Sequence, residues 1–109
     1  MAELDFGALM KKAQELQEKL KSVQEQAAAQ VVSADAGGGM VRVSVDGSMQ
    51  VRRIEIDPAL IASNDKAMLE DLIVVAINLG LKRAQEMVAQ EMGKLGPLGG
   101  LKIPGFGND

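Results

Sequence analysis

Residues 40–57, MVRVSVDGSMQVRRIEID, hold two apolar alternations that do not share one phase. Val41, Val43 and Val45 alternate with Arg42, Ser44 and Asp46, the two-residue period of a strand with one buried face. Asp46-Gly47-Ser48 then reads as a turn. As a three-residue loop it pairs Val45 with Met49 and Val43 with Val51, and sets Arg42 opposite Arg52. Beyond it the period breaks, because Val51 and Ile54 are three apart and cannot share a face of a regular strand. A β-bulge at Arg52–Arg53 would restore the phase, turn both arginines outward and bring Ile54 beside Val41. The alternative is a strand buried on both faces, with one arginine directed each way. Under either reading this stretch is an antiparallel hairpin.

Towards the N-terminus, residues 31–36 are β-prone, and Gly37-Gly38 suits a two-residue hairpin turn. That turn sets Ala34 opposite Val41 and Val32 opposite Val43, extending the hairpin to a three-stranded meander with strands at about 30–36, 40–46 and 49–56. Before it, Phe6, Leu9, Ala13, Leu16, Leu20, Val23 and Ala27 follow at steps of three and four, an a/d seam on a helix over about 5–29. Glu15–Lys19 and Lys21–Glu25 have helical i,i+4 spacing.

Towards the C-terminus, Asp57-Pro58 reads as an N-cap followed by proline at the first helical position, opening a short turn over 58–61. Ser63, Asn64 and Asp65 offer the next cap, for a helix over about 65–95. Its centre, LIVVAINLGL, is apolar nearly all round and so expects burial on several sides. Gly80 lowers helix propensity there, which points to the close approach of another backbone. Residues 96–109, GPLGGLKIPGFGND, shift to Gly and Pro and read as a tail without regular structure, in which Leu101, Ile103 and Phe106 are docking candidates. The expected fold class is α+β, a single domain over 1–95 with the tail beyond. A helix of roughly 25 residues spans about 37 Å and a seven-residue strand about 23 Å, so the helices must overhang the sheet as arms.

Composition narrows the chemistry. The 109 residues contain no His, Cys, Trp or Tyr. The usual neutral-pH base, the thiolate nucleophile and the commonest metal ligands are therefore missing. The chain reads as a non-enzyme without cofactor or metal. The two Phe and seven Met leave little aromatic area for a core, which favours an oligomer. No signal-peptide pattern or long uncharged apolar run is present, so the expected compartment is the cytoplasm. Net charge is −3, and residues 1–30 carry four Lys against five acids. A surface for a polyanion would have to come from folding and dimer geometry.

The helix LMKKAQELQEKL, the hairpin AGGGMVRVSVDG, the run RRIEIDPALI with DKAMLEDLIVVAIN, and the ending KIPGFG together resemble the YbaB/EbfC family of bacterial nucleoid-associated proteins. The resemblance implies a homodimer with a central sheet body and protruding helices. It also implies DNA as partner and a role in nucleoid organisation or gene regulation. INLGLKRA departs from it, where family members often carry more alanine and polar residues.

Under that reading Lys11, Lys12, Lys19 and Lys21 on the first helix, with Arg83 and Lys94 on the long one, are the leading candidates for phosphate contact. Lys12 and Lys19 lie seven apart on one stripe. The alternative is a solvated face laced with glutamates. Arg42, Arg52 and Arg53 form a weaker candidate cluster, set against pairing with Glu55 or Asp35. Lys82 has a local partner in Glu86. Leu72, Val75, Ala76, Ile77, Leu79 and Gly80, in the apolar belt, are the candidate dimer interface. The competing function is a dimeric protein-interaction scaffold that uses the heptad seam and the apolar tail.

Overall fold

Asp5 opens the first helix: its carboxylate accepts from the Ala8 N–H at 3.3 Å, taking up a donor the helix start leaves free. The computed structural model describes residues 5–95; the tail expected at 96–109 lies outside them. Helix α1 runs Phe6–Ala29, followed by strands β1 (Val31–Ala36), β2 (Val41–Asp46) and β3 (Val51–Ile56). Helices α2 (Pro58–Ala62) and α3 (Lys66–Gly93) complete the order. Asp57 caps α2 ahead of Pro58, and Asp65 caps α3 through the Met68 N–H at 3.0 Å.

The strands form one antiparallel sheet in the order β1-β2-β3. Both registers differ from the sequence expectation by two residues on β2. Ala34 pairs with Val43 and Ala36 with Val41. The Gly-rich turn is thus four residues, Gly37 to Met40, closed by Met40 N–H to the Gly37 carbonyl at 3.3 Å. Its three glycines all take positive φ, so each occupies the region a side chain disfavours. A two-residue step keeps every side chain on its face, and so Val32, Ala34 and Ala36 still join the valines of β2.

In the second hairpin Asp46 pairs with Gln50, and Met49 at φ 66° completes a loop one residue later than expected. Val45 lies opposite Val51 and Ser44 opposite Arg53, which leaves Arg52 as the extra residue of a β-bulge. The bulge restores the phase, and it sets Ile54 opposite Val43, not Val41. Arg42 faces Glu55 and not Arg52.

Helix α3 lies across β1 and β2. Ala76, Gly80 and Ala84, spaced four apart, are fully buried, as are Val41, Val43 and Val45 beneath. A Cβ on Gly80 would sit 2.8 Å from Val45 Cγ2 and 3.0 Å from Val43 Cγ2. The close approach expected at Gly80 is therefore that of valine side chains of its own sheet. Because α3 crosses the first two strands, the inward face of β3 stays uncovered. Ile54 is 42% exposed, although its cross-strand partner Val43 is fully buried.

The protein measures 78 × 28 × 15 Å with a radius of gyration of 20.8 Å. A compact chain of this length would have about 13 Å. Part of this elongation comes from α1. Ala27 is buried and Leu20 and Val23 half-buried where α1 meets α3, whereas every residue from Phe6 to Lys19 is exposed. At 1.5 Å per residue this free part projects about 21 Å.

Candidate nucleic-acid interface

The projecting part of α1 concentrates charge that the composition hides. From Phe6 to Lys21 there are four lysines against two glutamates, in a chain of net charge −3. Asp5 is used as the cap, and Glu25 lies on the part of the helix that packs near α3. Among the described residues, Lys11, Lys12, Lys19 and Lys21 make no ion pair within 4.0 Å, so the expected Glu15–Lys19 and Lys21–Glu25 pairs are not formed. At about 100° per residue, Lys12 and Lys19 flank one side of the apolar seam and Lys21 the other. Their separation along the helix is about 10 Å for Lys12 and Lys19.

The other candidates are engaged nearer home. Arg83 Nη1 donates to the Ser33 carbonyl of β1 at 2.9 Å. Lys94 pairs with Glu91 at 2.9 Å. The hydrogen bond from Lys94, with its charge and a contact from Gln30, holds the Glu91 carboxyl below its ordinary value. Arg53 pairs with Glu55 at 3.2 Å on the outer sheet face, where both are largely exposed. Arg42 is exposed on the same face, in register with Asp35 and Glu55. That face therefore balances two arginines with two carboxylates and has no excess positive charge. Lys82 is exposed, and its expected pairing with Glu86 is not formed.

Arg52 has a different role. Its Nε donates to Asp46 Oδ2 at 2.8 Å, and the Asp46 side chain is only 4% exposed. The other carboxylate oxygen, Oδ1, accepts from Ser48 N, Ser48 Oγ and Gln50 N at 2.9, 2.6 and 3.1 Å. The hydrogen bond from Ser48 and then that from Arg52 hold the Asp46 carboxyl well below the usual carboxylate range. Sequence reasoning passed over Asp46. The available signal was an acid on the outward phase of β2 immediately before a turn glycine, with an arginine across the hairpin.

The six belt residues separate in space. Ala76 and Gly80 face their own sheet, and Leu72 lies under the turn at Gly37. Ile77 and Leu79 are half-buried against the core. Val75 is exposed, together with its neighbour Val74. Among the described residues no helix is long and apolar enough to cross a membrane, and no group of three acidic side chains is placed to hold a metal ion.

The chain is similar to known proteins both in fold and in sequence. The fold is similar to the crystal structure of an uncharacterized protein, HP0035, from Helicobacter pylori: TM-score 0.63, 26% identity, covering 77% of this chain and 88% of that one. In sequence the chain is 41% identical to the nucleoid-associated protein DP1429 of Desulfotalea psychrophila, over 96% of this chain and 97% of that protein. It is 48% identical to a nucleoid-associated protein of Syntrophobacter fumaroxidans, over 89% and 86% of the two chains. Residues 1–101 match the family described as the YbaB/EbfC DNA-binding family. With the helix–meander–helix order, the bulge at Arg52 of the Arg52–Arg53 pair and a match running from the first residue through the long helix, this chain belongs to the YbaB/EbfC DNA-binding family.

Proposed function

We propose that this family member binds duplex DNA in the nucleoid as a homodimer, with the two α1 arms supplying the phosphate contacts. The observation that carries this is the stretch Phe6–Lys21, exposed but for the half-buried Leu20, a basic helix in an acidic chain whose four lysines have no internal ion pair among the described residues. Cations without partners on a projecting helix can release DNA counterions without first breaking a protein contact. The outer sheet face lacks that capacity, because its arginines stand against Asp35 and Glu55. Affinity of this kind is largely independent of base sequence. It suits a role in nucleoid organisation, with gene regulation following from occupancy. Dimerisation would cover the apolar surface one chain leaves open, at Ile54 and Val51 of β3 and at Val74 and Val75 of α3.

The test is electrophoretic mobility of duplex DNA at rising salt. Replacing Lys11, Lys12, Lys19 and Lys21 with Gln is expected to abolish the shift, whereas Arg42→Gln with Arg53→Gln leaves it nearly intact. No shift by the unaltered protein at low salt would overturn the proposal.

One observation favours a second reading. Phe6, Leu9 and Leu16 of the seam are exposed, Phe6 at 73%, so the arm also offers an apolar stripe to a protein partner. Substituting these three with Ser separates the readings: loss of a protein complex with DNA binding retained would favour the scaffold.

A further inference from the structure

The base of the α1 arm is gripped by the turn between β2 and β3. Gly47 meets the end of α1 backbone to backbone. A Cβ there would overlap the Ala27 carbonyl oxygen and lie 2.7 Å from its carbon and 2.9 Å from Ala28 Cα. The Gly47 N–H donates to the Gln30 carbonyl at 3.0 Å. Gly47 is not among the positive-φ glycines, so its position calls for glycine through space and not through backbone angle. No side chain cushions this contact, and a backbone neighbour cannot swing aside.

The turn itself is held from the other side. Asp46 binds the Ser48 and Gln50 N–H groups and the Ser48 hydroxyl, which fixes the loop Gly47–Met49. It also binds Arg52, the bulge residue, at 2.8 Å. One nearly buried carboxylate thus ties the bulge to the loop, and the loop is seated on α1. From Ala27 to Lys12 the arm is about 22 Å long. A tilt of about 15° at its base would move Lys12 by about 6 Å, many times the distance tolerance of a charge-assisted hydrogen bond.

We infer that the Asp46–Gly47 turn, locked by Arg52, is the bracket that sets the direction of α1, so that Asp46, Gly47 and Arg52 are positioning residues for DNA binding without touching DNA. This rests on the proposal that the arm lysines contact phosphate. It accounts for three features at once: the backbone contact at Gly47, the burial of a carboxylate in a turn, and a bulge residue whose guanidinium points back along its own hairpin.

The native chain has no cysteine, so Gln14→Cys on the arm and Asp35→Cys on β1 accept two spin labels cleanly. Labelled chain diluted with unlabelled chain then gives the arm-to-sheet distance by double electron–electron resonance. Gly47→Ala and Asp46→Asn are expected to shift or broaden that distance by several ångströms. Duplex affinity is expected to fall at least fivefold, with helical content by circular dichroism retained. Arg52→Gln, which leaves the contact at Gly47 intact, is expected to give a smaller change in the same sense, and it carries the test if the other variants fail to fold. Unchanged distances in the folded variants would overturn the bracket, as would shifted distances with unchanged affinity. Retained affinity after Lys12→Gln with Lys19→Gln would instead overturn the DNA role of the arm, a result read without reference to the distances.

Discussion

Asp46 shows how far a single residue departs from its sequence appearance. On β2 it occupies the outward phase with Arg42 and Ser44, yet its side chain is nearly buried and accepts four hydrogen bonds. With its carboxyl held below the ordinary value of 3.8, its contribution to stability is complete above that value and is lost as pH falls from there towards the folded value. Asp46→Asn is therefore expected to lower the urea midpoint at pH 7, with the gap to the unaltered protein narrowing as the pH is taken from 4 down towards 2. At Gly80 two effects oppose each other. Alanine would gain about 1 kcal/mol of helix propensity, but its methyl would overlap Val43 and Val45, at an overpacking cost of about 1–3 kcal/mol. Gly80→Ala should thus be destabilising by about 1 kcal/mol net in urea unfolding. The glycine was legible as a packing signal, whereas its partner was not, because sequence does not say which surface faces a helix that is apolar all round.

At the scale of elements, α1, the meander and α3 were legible because each follows a local period: three-to-four on the helices, two on the strands. The β-bulge was legible for the same reason, since a broken alternation has few physical remedies. The hairpin registers were not. Both loops are set by residues in left-handed backbone, Gly37 to Gly39 and Met49, and shifting a pairing by two residues keeps all side chains on their faces. The alternation therefore could not choose between registers. For α1 the salt dependence of duplex binding is a direct measure. Log K falls by about 0.9 for each phosphate neutralised. Lys12→Gln with Lys19→Gln in both arms of a dimer is expected to lower that slope by up to about 3.6, whereas Arg53→Gln leaves it unchanged. A titration across salt concentrations checks both.

At the scale of the whole molecule, the uncovered apolar surface of β3 and α3 is the feature a single chain leaves unresolved. Ile54, 42% exposed, is bonded in register to a fully buried valine, and Val74 is 56% exposed on the far side of a helix whose other face is core. Ile54→Asp and Val74→Asp are each expected to shift the protein to monomer in sedimentation velocity at micromolar concentration, with little loss of helical content. Ala76→Asp should instead unfold the chain, because Ala76 is buried beneath its own sheet. The sequence by itself determined the elements, their order, the break in alternation at Arg52–Arg53 and the absence of His or Cys chemistry, since periodicity, capping and composition are local properties. Only the tertiary structure decided which charges are free. The packing of Ala76, Gly80 and Ala84 onto the valines of β2 places α3 along the sheet, and where α3 ends its cover of α1 begins a basic arm that residue counts over the first 30 positions conceal. The same packing carries the β2–β3 turn to the base of that arm, joining Gly47 to Ala27 across twenty residues of chain that no local pattern relates.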